Sequence, residues 1–475
     1  MQTPGKTMPS RIALINPSYY SDIFLKSKAR AAVSRGTTSL GLAALAAPLL
    51  QDGHCVRIWD LNLQDRPTDY LAAALREFNP DFVGITSTTP LIKKAYETAA
   101  AVKKFSRQIY VIAGGPHPSA LPEDVLRESE IDCVVRGEGD LVLKSIVAGD
   151  EKAHIPNIYY KQDGAVLKSK AKESQIDNLD ALPFPAYSLF DIDKYSQPSI
   201  VSRRRPLGYM ETSRGCFARC VFCNKNIHGY RVRMKSPARV ADEMQAMLRL
   251  GFREIQLIDD IFTADFRRVA AICDEILKRG LDFPWYPRGG IRVDRADPAM
   301  LKLMKKAGCY RIPFGIESGS QRVQDAIGKG TTLDQARRAV KCAKEAGFET
   351  ECYFMIGLPT ETEEDVKKSI EFALELDPDY VKFAIAIPLP GTPMFDTMLA
   401  EKRLKTTDWE KYNFSASPKE LYDHDRMSWE TIDRYYALSH KKFYLRPRYA
   451  VKMLYKTLKE GTFWGHVKAF TGTQW

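Results

Sequence analysis

Short apolar runs alternate with amphipathic stretches of helix length from residue 11 to residue 387, and this alternation restricts the fold more than any other feature of the chain. Strands separated by a helix pair in parallel, because such a crossover returns the chain to the same end of the sheet. In residues 1–150, RIALI (11–15), CVRIW (55–59), FVGIT (82–86), IYVIA (109–113) and DCVVR (132–136) predict strands, with SLGLAALAAPLL, YLAAALREF, IKKAYETAAAVKKF and ALPEDVLRE as the intervening helices. The expected class is α/β, opening with a doubly wound, mostly parallel sheet. Residues 208–395 resume the alternation with strands at YMETS, EIQLID, FPWYP, YRIPFGIE, CYFMIGL and VKFAIAI, six strand-helix units that predict a partial (β/α)6 barrel. Between the two, residues 151–207 read as a linker with a hairpin at Asp163-Gly164, and residues 396–475 as a small, mostly helical, basic and aromatic region.

Ligands of doubly wound sheets sit beyond the carboxyl ends of the strands. Four segments occupy that position: Asn16-Pro17-Ser18-Tyr19, Thr86-Ser87-Thr88-Thr89, Gly114-Gly115-Pro116-His117 and Arg136-Gly137-Glu138-Gly139. Their small and hydroxylated residues let a large flat ligand or a nucleotide-like tail approach the backbone, although tight turns alone also account for the glycines. No GxGxxG follows the first strand, which argues against a dinucleotide.

Of nine cysteines, Cys216, Cys220 and Cys223 fall within eight residues, in the run Glu211-Thr-Ser-Arg-Gly-Cys216-Phe-Ala-Arg-Cys220-Val-Phe222-Cys223. Three thiolates on one short loop can hold three irons of a cubane 4Fe-4S cluster and leave the fourth iron open for a substrate. A structural zinc site with a distant fourth ligand remains the alternative. Disulfide scaffolds space their cysteines more densely and evenly, so the cluster indicates a metal site in a reducing compartment.

Cys-x-x-x-Cys-x-aromatic-Cys is the hallmark of the radical S-adenosylmethionine (SAM) superfamily, and the chain resembles its members here in full. The resemblance implies that SAM chelates the open iron, with Phe222 beside the adenine. Asp260 in Asp259-Asp260-Ile-Phe262-Thr263 would face the SAM ammonium, and Arg292 in Ile291-Arg292-Val293-Asp294 its carboxylate, unless Arg292 pairs with Asp294 or Asp297. Glu317 and Ser318 in Gly315-Ile316-Glu317-Ser318-Gly319 would contact SAM, unless Glu317 caps a helix, and Gly357 in Gly357-Leu358-Pro359 would line the adenine site.

Residues 38–140 resemble the cobalamin-binding domain of cobalamin-dependent radical SAM enzymes through TSLGLAALAAPLLQDGHCVRIWD, ITSTT, AGGPHPSALPE and VVRGEGD. The resemblance implies cobalamin contacts at Thr86, Ser87, Thr88, Gly114, Gly115, His117, Gly137 and Glu138. The Asp-x-His-x-x-Gly segment that supplies a lower cobalt ligand in methionine synthases is absent, so His117 is expected in a turn or against the cofactor tail. Methylthiotransferases carry a three-cysteine amino-terminal domain, whereas only Cys55 and Cys133 precede Cys216 here.

The implied activity is methyl transfer to an unactivated carbon or to phosphorus, by way of methylcobalamin and a 5′-deoxyadenosyl radical. A non-methylating cyclisation, ring contraction or oxidation on the same architecture is the alternative, and a non-catalytic cofactor-binding protein is a third. A low-potential donor such as flavodoxin or ferredoxin is the expected partner, and the substrate is expected to be a small molecule with apolar surface, such as a lipid or a tetrapyrrole. Net charge is +11, and residues 441–475 carry eight Lys or Arg against one Glu; such a basic, aromatic segment suits a lipid surface, a cover for the active site or a solvated helix. No nucleic-acid module is recognisable. Without an apolar run of membrane-spanning length or a secretory leader, the expected location is the cytoplasm, with at most peripheral membrane contact. No acid or base is assigned to a substrate pocket: His228, Tyr230, Tyr19 and Tyr20 are candidates that their surroundings in the sequence do not separate from packing residues.

Overall fold

The computed structural model describes residues 9–18, 36–197, 201–413, 418–459 and 463–464; Tyr19 and Tyr20 lie outside them. Among these residues the chain forms two compact units, one holding the amino-terminal strand with residues 38–194 and 224–228, the other residues 195–223 and those from 229 onward.

The first unit is built on β1 (Arg11–Asn16), β2 (Cys55–Asp60), β3 (Phe82–Thr86), β4 (Tyr110–Gly114) and β5 (Cys133–Val135), alternating with α1 (Leu40–Gln51), α2 (Pro67–Phe78), α3 (Ile92–Phe105), the short α4 (Pro116–Ala120) and α5 (Pro122–Arg127), and followed by α6 (Asp140–Ala148). The order β2-β1-β3-β4-β5 is parallel throughout. Its central strands read apolar on both faces, as a sheet covered on both sides requires: Ile12, Ala13, Leu14 and Ile15 are fully buried. Ile12, Leu14, Leu42, Ala46, Leu49, Ile112, Val142, Leu143 and Ile146 form one core. The hairpin expected in the linker, β6 (Ile158–Gln162) and β7 (Ala165–Lys168), turns at Asp163-Gly164 and extends this sheet to seven strands by antiparallel pairing on β5.

The second unit contains two parallel three-stranded sheets rather than one continuous barrel wall. In the first, β8 (Leu207–Met210), β11 (Glu254–Leu257) and β12 (Trp285–Pro287) lie in the order β12-β11-β8; in the second, β13 (Arg311–Glu317), β14 (Glu349–Ile356) and β15 (Tyr380–Ile385) follow in chain order. Isolated parallel bridges, Trp285 with Cys309 and Ile291 with Phe314, link the two. The fold is thus α/β and barrel-like, with the six strands of the expected partial (β/α)6 barrel divided between two three-stranded sheets. YMETS is likewise not one strand, because its end enters a small antiparallel pair, β9 (Ser213–Arg214) with β10 (Arg233–Met234).

Helices α7 (Pro237–Arg249), α8 (Phe266–Lys278), α9 (Pro298–Lys306), α10 (Gln321–Ala326), α11 (Leu333–Glu345) and α12 (Glu363–Leu376) connect the strands. Their starts are set by local chemistry: Asp265 caps α8, while Thr332 with Gln335 and Thr362 with Asp365 form capping boxes on α11 and α12. The carboxyl-terminal region contains α13 (Pro393–Ala400), α14 (Trp429–Tyr444) and α15 (Pro447–Lys459). On α15, Val451, Leu454, Tyr455 and Leu458 are exposed at helical spacing. No helix of the described residues is long and apolar enough to cross a membrane.

Candidate functional site

In the first unit the strand order reverses between β1 and β3, where the outgoing chains diverge and leave a crevice above the sheet. Thr86 ends β3 in register with Gly114 at the end of β4. The two loops beyond are locked together: Ser87 N donates to Gly114 O (2.9 Å) and His117 N donates to Ser87 O (3.3 Å). Gly115 has φ +99° and ψ −174°, a backbone state open only to glycine, and a Cβ there would lie 2.8 Å from Ser87 O. Thr88 stays exposed and Thr86, Gly114 and Gly115 half-exposed, so this backbone-lined ledge is accessible.

His117 is buried, with Nδ1 3.3 Å from Thr89 Oγ1, and burial lowers its pKa to about 4. The ring is therefore neutral and packed against Thr89. Gly137 N donates to Ser119 Oγ (3.0 Å), and Glu138 Oε2 accepts from Ile176 N (2.8 Å). Glu138, expected to meet a cofactor, also ties this loop to the segment after the hairpin. Residues 224–228, which begin directly after Cys223, also belong to this unit. Asn226 Oδ1 accepts from the Arg136 guanidinium (3.4 Å), His228 O accepts from Gln175 Nε2 (2.9 Å), and the Asn226 and Ile227 carbonyls lie 3.4 Å from where a Gly137 Cβ would be.

In the second unit the cysteine loop follows β9 and is pinned at several points. Gly215 N donates to Asp260 Oδ2 (2.9 Å), Cys216 N to Gly229 O (3.3 Å), Val221 N to Ile327 O (3.0 Å) and Cys223 N to Cys220 O (3.1 Å). Asp260, expected at the SAM ammonium, thus carries the start of the loop. Its neighbour Asp259 is buried and accepts from Thr212 N (3.1 Å), Thr212 Oγ1 (2.7 Å) and Ser213 Oγ (2.5 Å), while burial pushes its carboxyl pKa up. Cys216 is buried, whereas Phe222, Cys220 and Cys223 are half-buried. Burial raises the Cys220 thiol pKa, Lys329 and Arg292 oppose that shift, and Glu317 and Cys223 add to it, so residues that follow β12, end β13 and follow α10 act electrostatically on one thiol.

Glu317 has φ +69° and makes a buried ion pair with Lys329 Nζ (2.7 Å). Arg292 Nε and Nη2 bond Asp294 at 3.0 and 3.3 Å, and Nη1 bonds Lys329 O at 3.0 Å. This realises the pairing with Asp294 set against a SAM contact in the sequence, and makes Arg292 a clamp on the turn that carries Lys329. Ser318 is fully buried: its Oγ is 3.2 Å from Ser369 Oγ and accepts from Ser320 N, so it braces α12 rather than lining an open site. Gly357 (φ +80°) donates its N–H to Glu361 Oε2 (2.7 Å). Tyr230 is exposed beneath the Arg219 guanidinium, 5.4 Å from the ring centroid.

Lys329, Asp259 and Glu361 were not singled out in the sequence. The only signals for them were an acidic pair at a strand end and a Gly-Lys-Gly turn, both common in helix-capping loops. Among the described residues no three His, Cys, Asp or Glu side chains converge on one point as a single ion requires. A cubane sets a different demand, each thiolate binding its own iron. Three soft thiols on a pinned loop with Lys329 and Arg292 close to one of them fit an anionic iron-sulfur group, and the glycine-dependent ledge of the first unit fits a broad ligand held by backbone.

Residues 210–373 match the Radical SAM superfamily, and residues 28–147 the B12 binding domain. An uncharacterised methyltransferase of Pyrococcus horikoshii is 37% identical over 430 residues, covering 89% of this chain and 91% of its own. The anaerobic magnesium-protoporphyrin IX monomethyl ester cyclase of Rubrivivax gelatinosus is 28% identical over 417 residues, covering 85% and 72%. Among solved structures, the cobalamin-dependent S-adenosylmethionine radical enzyme OxsB with aqua-cobalamin bound superposes with a TM-score of 0.76 at 17% identity, over 98% of this chain and 72% of that one, a likeness of fold.

Proposed function

Because the chain belongs to the cobalamin-dependent radical SAM enzymes, we propose that it transfers a methyl group from SAM to an unactivated carbon, or to phosphorus, of an amphiphilic metabolite. The observation that carries this reading is the conjunction, in one chain, of a B12 binding domain without an Asp-x-His-x-x-Gly segment and a complete three-cysteine loop. When bound, the cluster would supply the electron that cleaves SAM to a carbon radical, and cobalamin the methyl group. Cys216, Cys220 and Cys223 would hold the cluster, and the Thr86–Thr88 and Gly114–Gly115 ledge the corrin.

The chain's own residues supply position and charge. Asp259 and Asp260 fix both ends of the turn into the cysteine loop, so that the thiols are presented without reorganisation. Lys329 places a cation near Cys220 and pairs with the buried Glu317 side chain, whose carboxylate oxygens can accept from an ammonium. Apolar walls such as Ile261, Phe262 and Ile316 exclude water from the same strand ends.

The 28% identity to a tetrapyrrole cyclase supports a second reading, a non-methylating radical reaction on the same scaffold. Anaerobically reconstituted protein with cobalamin, a low-potential reductant, methyl-labelled SAM and a metabolite extract separates the two. S-adenosylhomocysteine together with 5′-deoxyadenosine and one labelled metabolite is the outcome for methyl transfer. Deoxyadenosine with an unlabelled, mass-shifted metabolite is the outcome for the second reading.

A further inference from the structure

The faces of the second unit's sheets turned away from the helices carry polar side chains that neither the cysteine loop nor its neighbours use. On β14 the residues alternate: Cys352, Phe354 and Ile356 are buried, whereas Glu351, Tyr353 and Met355 are half-exposed. Lys382, in register with Tyr353 on β15, is exposed. Gln256 of β11 is in register with both Tyr209 and Tyr286, which sets these three in one row across the other sheet, and Arg288 follows Tyr286 on the same side.

Arg288 is the half-buried charge of this surface. Nη1 donates to Gln256 Oε1 (3.1 Å) and Tyr286 OH (3.3 Å), both neutral, and the guanidinium lies 5.5 Å from the centroid of Tyr209. Among the described residues no carboxylate lies within 4.0 Å of it, and its Nε and Nη2 have no hydrogen-bond partner. Glu351 is the acidic group facing the same space; the cation nearest to it is Arg311, at 4.0 Å, and Arg288 and Lys382 act on it only at longer range. The two acceptors of Arg288 are themselves fixed. Gln256 Nε2 donates to Val201 O (2.9 Å) and Glu254 Oε1 (3.0 Å), which leaves its Oε1 directed at the guanidinium, and Tyr286 OH donates to Val201 O (3.5 Å).

A guanidinium held in position among tyrosine rings, with Glu351 only at longer range and no carboxylate in contact, is better compensated when a ligand supplies the negative charge directly. Its planar fork matches the two oxygens of a carboxylate or a phosphate. Resting on the radical reading above, we propose that Arg288 is the anchor for an oxyanion of the substrate, whose flat or apolar body lies against Tyr209 and Tyr353. The substrate class is then a carboxylate- or phosphate-bearing amphiphile. A wholly uncharged polycyclic lipid would leave Arg288 without a counter-charge.

Melting curves of the cobalamin-loaded, cluster-reconstituted protein test this without turnover. At constant ionic strength set with chloride, 10 mM benzoate or inorganic phosphate should raise the wild-type Tm by about 2 °C, leave Arg288→Met unmoved, and give Arg288→Lys a smaller rise. A rise with benzoate alone names a carboxylate, and a rise with phosphate alone a phosphate. Without added anion, Arg288→Met should melt at or above the wild-type temperature, because it removes an unpaired charge. Equal rises in wild type and Arg288→Met, no rise with either anion, or an anion-free Arg288→Met that melts several degrees lower would each overturn the proposal. Failure of the radical reading would show separately, as reconstituted wild type that does not cleave SAM.

Discussion

The strand ends of the first unit present mostly uncharged groups, Thr86, Ser87, Thr88, Gly114, Gly115 and a neutral His117, whereas those of the second present Asp259, Asp260, Arg292, Glu317 and Lys329 around three thiols. Both are parallel α/β assemblies with sites at equivalent ends, so architecture does not account for the difference. On the proposed reading it follows from what each would hold. A broad macrocycle is gripped by shape and backbone, which requires residues small enough to let it approach. A zwitterion beside a cluster is gripped by charge, and charge inside a protein needs hydrogen bonds and counter-ions already in place.

The sharpest break between the two is Cys220→Ala. It should reduce SAM cleavage to background and lower the iron content, while corrinoid absorbance of the purified protein stays at the wild-type level. Loss of cobalamin in that variant would show that the two sites are not separable. Next in size is Lys329→Met. The Glu317–Lys329 pair is about nine-tenths buried on both sides, and removing one partner of such a pair costs about 3–5 kcal/mol. The KM for SAM should rise by about tenfold or more. Glu317→Gln in the same background should recover part of the stability but not the KM.

The mirror experiment in the first unit is Gly115→Ala. Forcing φ +99° on an alanine costs about 1–3 kcal/mol, and its Cβ would press on Ser87 O. Retention of cobalamin through gel filtration should fall while cluster content and SAM binding hold. An unchanged corrinoid occupancy would remove the ledge from the site.

Much of this contrast was legible from residue order, for a physical reason. Cysteine spacing is local, and five strand runs with helices between them admit few topologies. What was not legible depends on contacts made across long separations. The hairpin at residues 158–168 carries a two-residue turn that fits a linker or a sheet edge equally well, and the choice is made by pairing with β5. Glu317, in a left-handed backbone that its sequence does not signal, pairs with Lys329. Ser318 sits in the most motif-like segment of the second unit, yet packs on Ser369, 51 residues away. Arg292 had two available partners, and proximity in sequence favoured Asp294.

The smallest effect contrasts the buried titratable groups of the two units by the sign of their pH response. His117 has its pKa lowered by burial from 6.5 to about 4, so the folded first unit binds its proton less readily than the unfolded chain does. Its contribution to stability is complete above pH 6.5 and is lost as pH falls toward 4. Glu361 is the reverse case. Burial raises its carboxyl from 4.5 to about 8, opposed by N–H donors from Gly357 and Leu358, so its contribution is complete below pH 4.5 and is lost as pH rises toward 8. Each slope is at most about 1.4 kcal/mol per pH unit. Glu361→Gln keeps an oxygen for the two N–H groups and removes the titration, so its Tm should exceed that of wild type at pH 8 by more than it does at pH 5. His117→Asn should flatten the acid limb between pH 6.5 and 4 and leave the alkaline limb as it is. If Glu361→Gln instead shifts the Tm by the same amount at both values, the Glu361 carboxyl ionises in the folded unit as it does in water, and the opposite signs of the two pH responses do not hold.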